Sequence, residues 1–255
     1  LEARSVSLGT LFNVSKDEQC AKIASSNDVL GDFSVHDLLV EATSKNPDLE
    51  VLGLIKNVAS SRPEVLSGCE EAIVNAIITH SKHMKALVQL FGIASSANLN
   101  SERAKLFSSQ PQVVELVVKC ISSTRTTLNL KLEALMLCSS LVFYSAPCRE
   151  FHKRKVVDAV VSLFMEHPED LDIQAQCLYC FYCFVCHGDT RAALIGHHEI
   201  IDSVLDRVSS PNPVLVDIAN SVVEVLTIFD HAWEEKIKEP RFRAYNHEWL
   251  RDQGL

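Results

Sequence analysis

Helix-breaking residues are scarce in this chain: eight Gly and eight Pro among 255 residues. That scarcity argues against a turn-rich protein and suits one made mostly of helix. Basic charge is also short, with 24 Lys and Arg against 33 Asp and Glu and a net charge of −9. General nucleic-acid binding leaves a basic footprint, so this class is disfavoured. No apolar run reaches the roughly 18 residues of a membrane span, and no signal peptide is recognisable. Membrane insertion is therefore not expected. The nine Cys follow no disulfide-framework spacing, which suits a reducing, cytoplasmic compartment. Catalytic signatures are missing too: there is no Gly-rich phosphate loop, no HExxH and no G-x-S-x-G. The chain reads as non-enzymatic, with no cofactor. Its first residues, LEARSVSLGTLFNVS, read as helix interior without an initiating Met or a cap, and predict a fragment of a longer protein.

What the chain does have is apolar helix, with 47% of its residues hydrophobic. The most apolar stretch is Leu171 to His187, LDIQAQCLYCFYCFVCH, where only Gln176 is polar between Ala175 and Cys186. A helix apolar on nearly every side is buried on several sides at once. It also carries Cys177, Cys180, Cys183 and Cys186 with His187 beside them, so metal ligation competes with packing as a reading. Each three-residue step turns a helix by about 300°, so four such sulfurs sweep half the cylinder instead of converging. Packing is the expectation for all four.

Apolar pairs recur down the sequence at Leu38-Leu39, Ile77-Ile78, Val117-Val118, Val160-Val161 and Val204-Leu205, in steps of 39, 40, 43 and 44 residues. The last four have a second pair four residues upstream, which marks one face of a short helix. A longer helix follows each polar turn. A 43-residue step takes Leu132 to Ala175 to Ile218, Met136 to Tyr179 to Val222, Val142 to Val185 to Ile228, and Phe143 to Cys186 to Phe229. Cys186 thus shares a slot with two Phe, which favours packing again. A third small helix is expected at PEVLSGCE, PCREFHKR and DTRAALIG. Three helices per unit with a period near 42 is the armadillo pattern. The predicted fold is all-α: a right-handed armadillo-repeat superhelix, or α-solenoid, of about six repeats over 1–229. A capping helix and carboxy-terminal tail follow over 230–255.

Residues 173–195, IQAQCLYCFYCFVCHGDTRAALI, resemble a repeat of the kinesin-associated protein family. Phe181-Tyr182, His187 and Thr190-Arg191 carry the resemblance. The ending continues it with Trp233, Lys236-Ile237, Phe242-Arg243, Asn246 and Trp249-Leu250, while Ala244 and Tyr245 depart from the family's Trp and His. The resemblance implies the non-motor accessory subunit of heterotrimeric kinesin-2. Such a scaffold binds the tails of the two motor chains and joins them to cargo adaptor proteins in microtubule-based and intraflagellar transport. It also implies localisation along microtubules and in the cilium.

Several residues are candidate partner contacts. Arg149, Lys153, Arg154 and Lys155, with His152, form the strongest basic run; they read either as a solvated helix junction or as a docking patch for an acidic segment. Asn13 and Asn57 fall near the ends of third helices, where armadillo proteins use Asn to grip peptide backbone, though structural capping explains them as well. Later units place Val142, Val185 and Ile228 there, so no regular Asn ladder exists, and an amphipathic helix suits the groove better than a basic peptide. Trp233, Phe242, Arg243 and Trp249 serve either as an intramolecular cap or as partner anchors. If Trp233 covers the last repeat, Trp233→Ala costs about 3–5 kcal/mol in chemical denaturation. A loss below about half of one kcal/mol would show instead that the indole is exposed.

Overall fold

The structure is a computed structural model that describes residues 34–97, 100–229, 234 and 238. Among the described residues there are thirteen α-helices and one 3-10 turn, with no strand. The chain divides into two compact units, 1–141 and 142–255. The predicted division at 229/230, with the cap and tail, borders on residues outside this description.

In the first unit the helices are α1 (Val35–Ala42), α2 (Leu49–Ser61), α3 (Glu70–Thr79), α4 (Met84–Ser96), α5 (Ser101–Ser108), α6 (Pro111–Ser122) and α7 (Leu128–Val142, whose last residue falls in the second unit). The second unit holds α8 (Ser145–His152), α9 (Val156–Glu166), α10 (Leu171–Val185), α11 (Gly188–Gly196), α12 (His198–Arg207) and α13 (Pro213–Phe229). Each helix of 13 or more residues starts on a side-chain cap that satisfies first-turn amides. Asp48 accepts from Glu50 and Val51, His83 Nδ1 from Ala86, Thr127 from Leu130, Asp170 from Ile173, and Asn212 from Val214 and Leu215. These caps stop each polar turn from being absorbed into the helix that follows.

One predicted helix is different. PEVLSGCE forms only a 3-10 turn over Pro63–Leu66. Pro63 starts it without an amide to donate, and Gly68, in the left-handed region at φ 83°, ends it. The missing turns account for the short step from α2 to α4.

Tertiary polar contacts show the repeat directly. In the first unit His80 Nε2 donates to the Thr43 carbonyl at 2.9 Å, and the Arg103 guanidinium reaches Glu70 at 2.9 Å and Ser67 Oγ at 3.1 Å. In the second unit His187 Nε2 lies 3.0 Å from the Val142 carbonyl and 3.2 Å from that of Phe143, and His197 Nε2 lies 2.8 Å from Asp158. Arg207 donates to Gln174 Oε1 at 3.0 Å and to the Pro168 carbonyl at 3.1 Å. Gln174 is fully buried and its amide donates to the Phe164 and His167 carbonyls. Apart from the two local Gln174 amide bonds, these links span 33 to 45 residues, one repeat each. A chain whose repeats touch mainly their neighbours leaves this signature.

The cores are apolar and closely filled. In the second unit α10 packs on α9, α11 and α13, burying Ile173, Cys177, Leu178, Cys180, Phe181, Cys183, Phe184 and Val185. The Phe164 and Phe181 rings meet at 5.4 Å. In the first unit α2 packs on α4. There Lys56 forms an ion pair with Glu133 of α7, two repeats away and mostly buried. Gly92 of α4 makes room for it: a Cβ there would lie 2.7 Å from Lys56 Cδ and 2.8 Å from Glu133 Oε2. Gly92→Ala therefore has to displace the pair, at a cost of about 1–3 kcal/mol. Lys56→Ala, which strands the carboxylate, costs about 2–4 kcal/mol. Urea midpoints test both; wild-type midpoints in both variants would show that the pair has no structural role.

Candidate functional site

The basic run predicted as a docking patch is brought together at the corner between α8 and α9. Arg149, Lys153 and Lys155 are exposed, and Arg154 is half-buried. Glu150 sits among them. Lys153 donates to its carboxylate at 2.7 Å, while Arg154 Nη1 donates to its backbone carbonyl at 3.2 Å and lies 3.8 Å from the carboxylate. The Lys153 hydrogen bond holds the Glu150 carboxyl below its ordinary range. Lys155 occupies the left-handed region at φ 57° and is the N-cap of α9, so the chain turns sharply at this corner. Asn57 is half-buried on α2, one residue after the Lys56 ion pair. Asn13, Trp233, Phe242, Arg243 and Trp249 lie outside the described residues.

A cavity of about 270 Å³ opens beside this corner. Ser145, Cys148, Arg149 and His152 of α8 line one wall; Cys186 and the turn through His187 into the first residues of α11 line the other. His187 is fixed there. Because its Nε2 faces two carbonyls, that nitrogen carries the proton. Thr190 donates to the Phe184 carbonyl at 2.8 Å, and its oxygen lies 3.5 Å from Cys148 Sγ.

The cysteine stretch divides in two. Cys177, Cys180 and Cys183 are fully buried in α10. Cys186, predicted to pack, is exposed instead, as are Phe143 and Phe229 at the equivalent places. Val142 and Val185 end their helices fully buried. The next residue is turned about 100° further round, off the buried face. Apolar identity at the slot therefore did not mean burial. Burial pushes the Cys183 thiol strongly up and the Cys120 thiol up to about 11. Cys148 and Cys186 are raised for the same reason, opposed at Cys186 by Arg191. Reactive cysteines show the opposite shift. Among the described residues no group of three or more His, Cys, Asp or Glu is arranged to hold a metal ion.

Exposed aromatic rings stand on α10 and at the end of α13. Tyr179 and Tyr182 stack at 6.2 Å, and the Arg191 guanidinium lies 3.5 Å over the exposed Phe229 ring. Arg191 also donates to the Val185 carbonyl at 2.8 Å.

Residues 71–253 match the model of the family described as Kinesin-associated protein (KAP). Solved structures similar to the chain include three of engineered or designed proteins. A crystal structure of an engineered protein has a TM-score of 0.67 at 16% identity, over 87% of this chain and 96% of that one. A designed armadillo repeat protein has a TM-score of 0.64 at 13% identity, over 86% and 91%. A second designed armadillo repeat protein, in complex with the peptide (KR)4, has a TM-score of 0.65 at 12% identity, over 87% and 92%. The fold is the predicted armadillo α-solenoid.

Burial and raised thiol pKa values together set an order of labelling. Near pH 8 a maleimide should modify Cys186 before Cys120, Cys177, Cys180 or Cys183 in the folded protein, and each more slowly than a free thiol. Since the folded thiols of Cys120, Cys183 and Cys186 are raised above the free value, their gap to a free thiol narrows as pH rises. Peptide mapping of Cys183 labelled ahead of Cys186 would contradict the packing described for α10.

Proposed function

We propose that this chain, which belongs to the kinesin-associated protein family, is a binding scaffold that holds kinesin-2 motor tails and links them to cargo adaptor proteins. The single observation that carries the reading is the family match over 71–253. The fold supports it, since an armadillo solenoid offers an extended surface for another chain. A designed relative of the same fold is solved with a bound peptide.

The proposed mechanism is recognition without chemistry. An amphipathic tail helix would lay its apolar face against exposed rings such as Tyr179 and Phe229, while the basic corner at Arg149, Lys153, Arg154 and Lys155 steers acidic residues into register. Asn57 and, from the sequence alone, Asn13, Trp233, Phe242, Arg243 and Trp249 are further proposed contacts. The reading includes a cap and tail over 230–255, a cytoplasmic site of action and motor-borne passage into cilia. Among the described residues no helix is long and apolar enough to cross a membrane.

Co-purification with each kinesin-2 motor tail tests the reading. The expected result is a stable complex with the paired tails that survives gel filtration. Failure of either tail, alone or paired, to be retained would overturn it.

A further inference from the structure

We infer that the cavity between α8 and the turn into α11 receives a carboxylate side chain from an acidic segment of the partner. This rests on the scaffold reading above and adds the chemistry of one contact. Ser145, Arg149 and His152 stand four and three residues apart, so they share one face of α8, and all three line the cavity. None of their side chains has a hydrogen bond or ion pair among the described residues. Their neighbours differ. Lys153 and Arg154 are taken up by Glu150, His187 by the Val142 and Phe143 carbonyls, and Arg191 by the Val185 carbonyl and the Phe229 ring. Lys155 is also uncommitted but does not line the cavity; the uncommitted donors that do face it are Ser145, Arg149 and His152.

Size and charge narrow the ligand. An Asp or Glu side chain fits within about 270 Å³, and a guanidinium binds a carboxylate through two parallel hydrogen bonds. Asp189 is exposed on the opposite wall and makes no ion pair of its own among the described residues. Its charge opposes a doubly charged phosphate more than a single carboxylate, and its oxygens can accept a backbone N–H of the incoming segment. The net charge of −9 disfavours extended polyanions such as nucleic acid or an anionic membrane. A short acidic peptide presents its charge only at the basic corner.

The test uses the whole chain and a fluorescein-labelled Glu-Ala repeat peptide, read by fluorescence anisotropy. Arg149→Glu is expected to weaken binding about tenfold or more, while Arg149→Lys retains part of it. Lys105→Glu, on α5 in the other unit, should change it less than about twofold. Bound peptide should also slow maleimide labelling of Cys186, which lines the same cavity. Equal loss in Lys105→Glu, no loss in Arg149→Glu, equal binding of a Lys-Ala peptide, or tighter binding to phosphatidylserine vesicles would each overturn the inference. The two readings fail separately. Motor tails captured equally by wild-type and Arg149→Glu protein would sink this site and leave the scaffold standing. Peptide binding lost in Arg149→Glu, with no tail captured by wild type, would support the site and sink the scaffold.

Discussion

A helix that is apolar around most of its circumference has to be covered from several directions at once, and α10 sets the terms for the second unit. It has no polar face to turn outward between Cys177 and Val185 except at Tyr179 and Tyr182. Coverage comes from α9, α11 and α13, all of which lie within about one repeat of it in sequence. Each large side chain buried in this way contributes about 1.5–3 kcal/mol of transfer free energy. No single repeat can supply that cover alone, so repeats within the second unit are stable only as a stack. The polar links reinforce the register. Gln174 joins α10 to the carbonyls at the end of α9 and to Arg207 of α12, and would be a costly orphan if the stack slipped.

Much of this was readable from residue order. Of six long helices that apolar spacing places around 1–14, 48–60, 82–95, 127–144, 171–187 and 214–229, the first lies outside the described residues and the other five are found within about two residues at each end, because their apolar spacing and the caps that precede them are local signals. What escaped was non-local or geometric. The Lys56 and Glu133 pair joins residues 77 apart and needs the bare backbone of Gly92 beneath it; nothing in the neighbourhood of any one of the three announces the others. Cys186 shares apolar character with Phe143 and Phe229 but none of the three is buried; Cys186 and Phe143 stand one step past the buried Val185 and Val142. PEVLSGCE was read as a helix from its position in the repeat, but Pro63 and Gly68 allow only one tight turn.

The candidate site was legible in part. The basic run was visible as a run, and the structure gathers it at one corner. The division of labour within it was not visible: Glu150 engages Lys153 and Arg154 and leaves Arg149 directed at the cavity with His152. Nor does sequence place Ser145 and Cys186 beside one another, since that depends on how α8 meets the start of α11. A scaffold of this kind works through surfaces that the stack leaves uncovered, and stacking decides which these are.

Hydrogen–deuterium exchange measured along the chain tests the central claim most directly. If α10 is enclosed by its neighbouring repeats, amides over 174–185 exchange among the slowest in the molecule, well behind those of the peripheral α8 and α11. Exchange over 174–185 as fast as in α8 would contradict the claim that this helix is the covered centre on which the second unit is built.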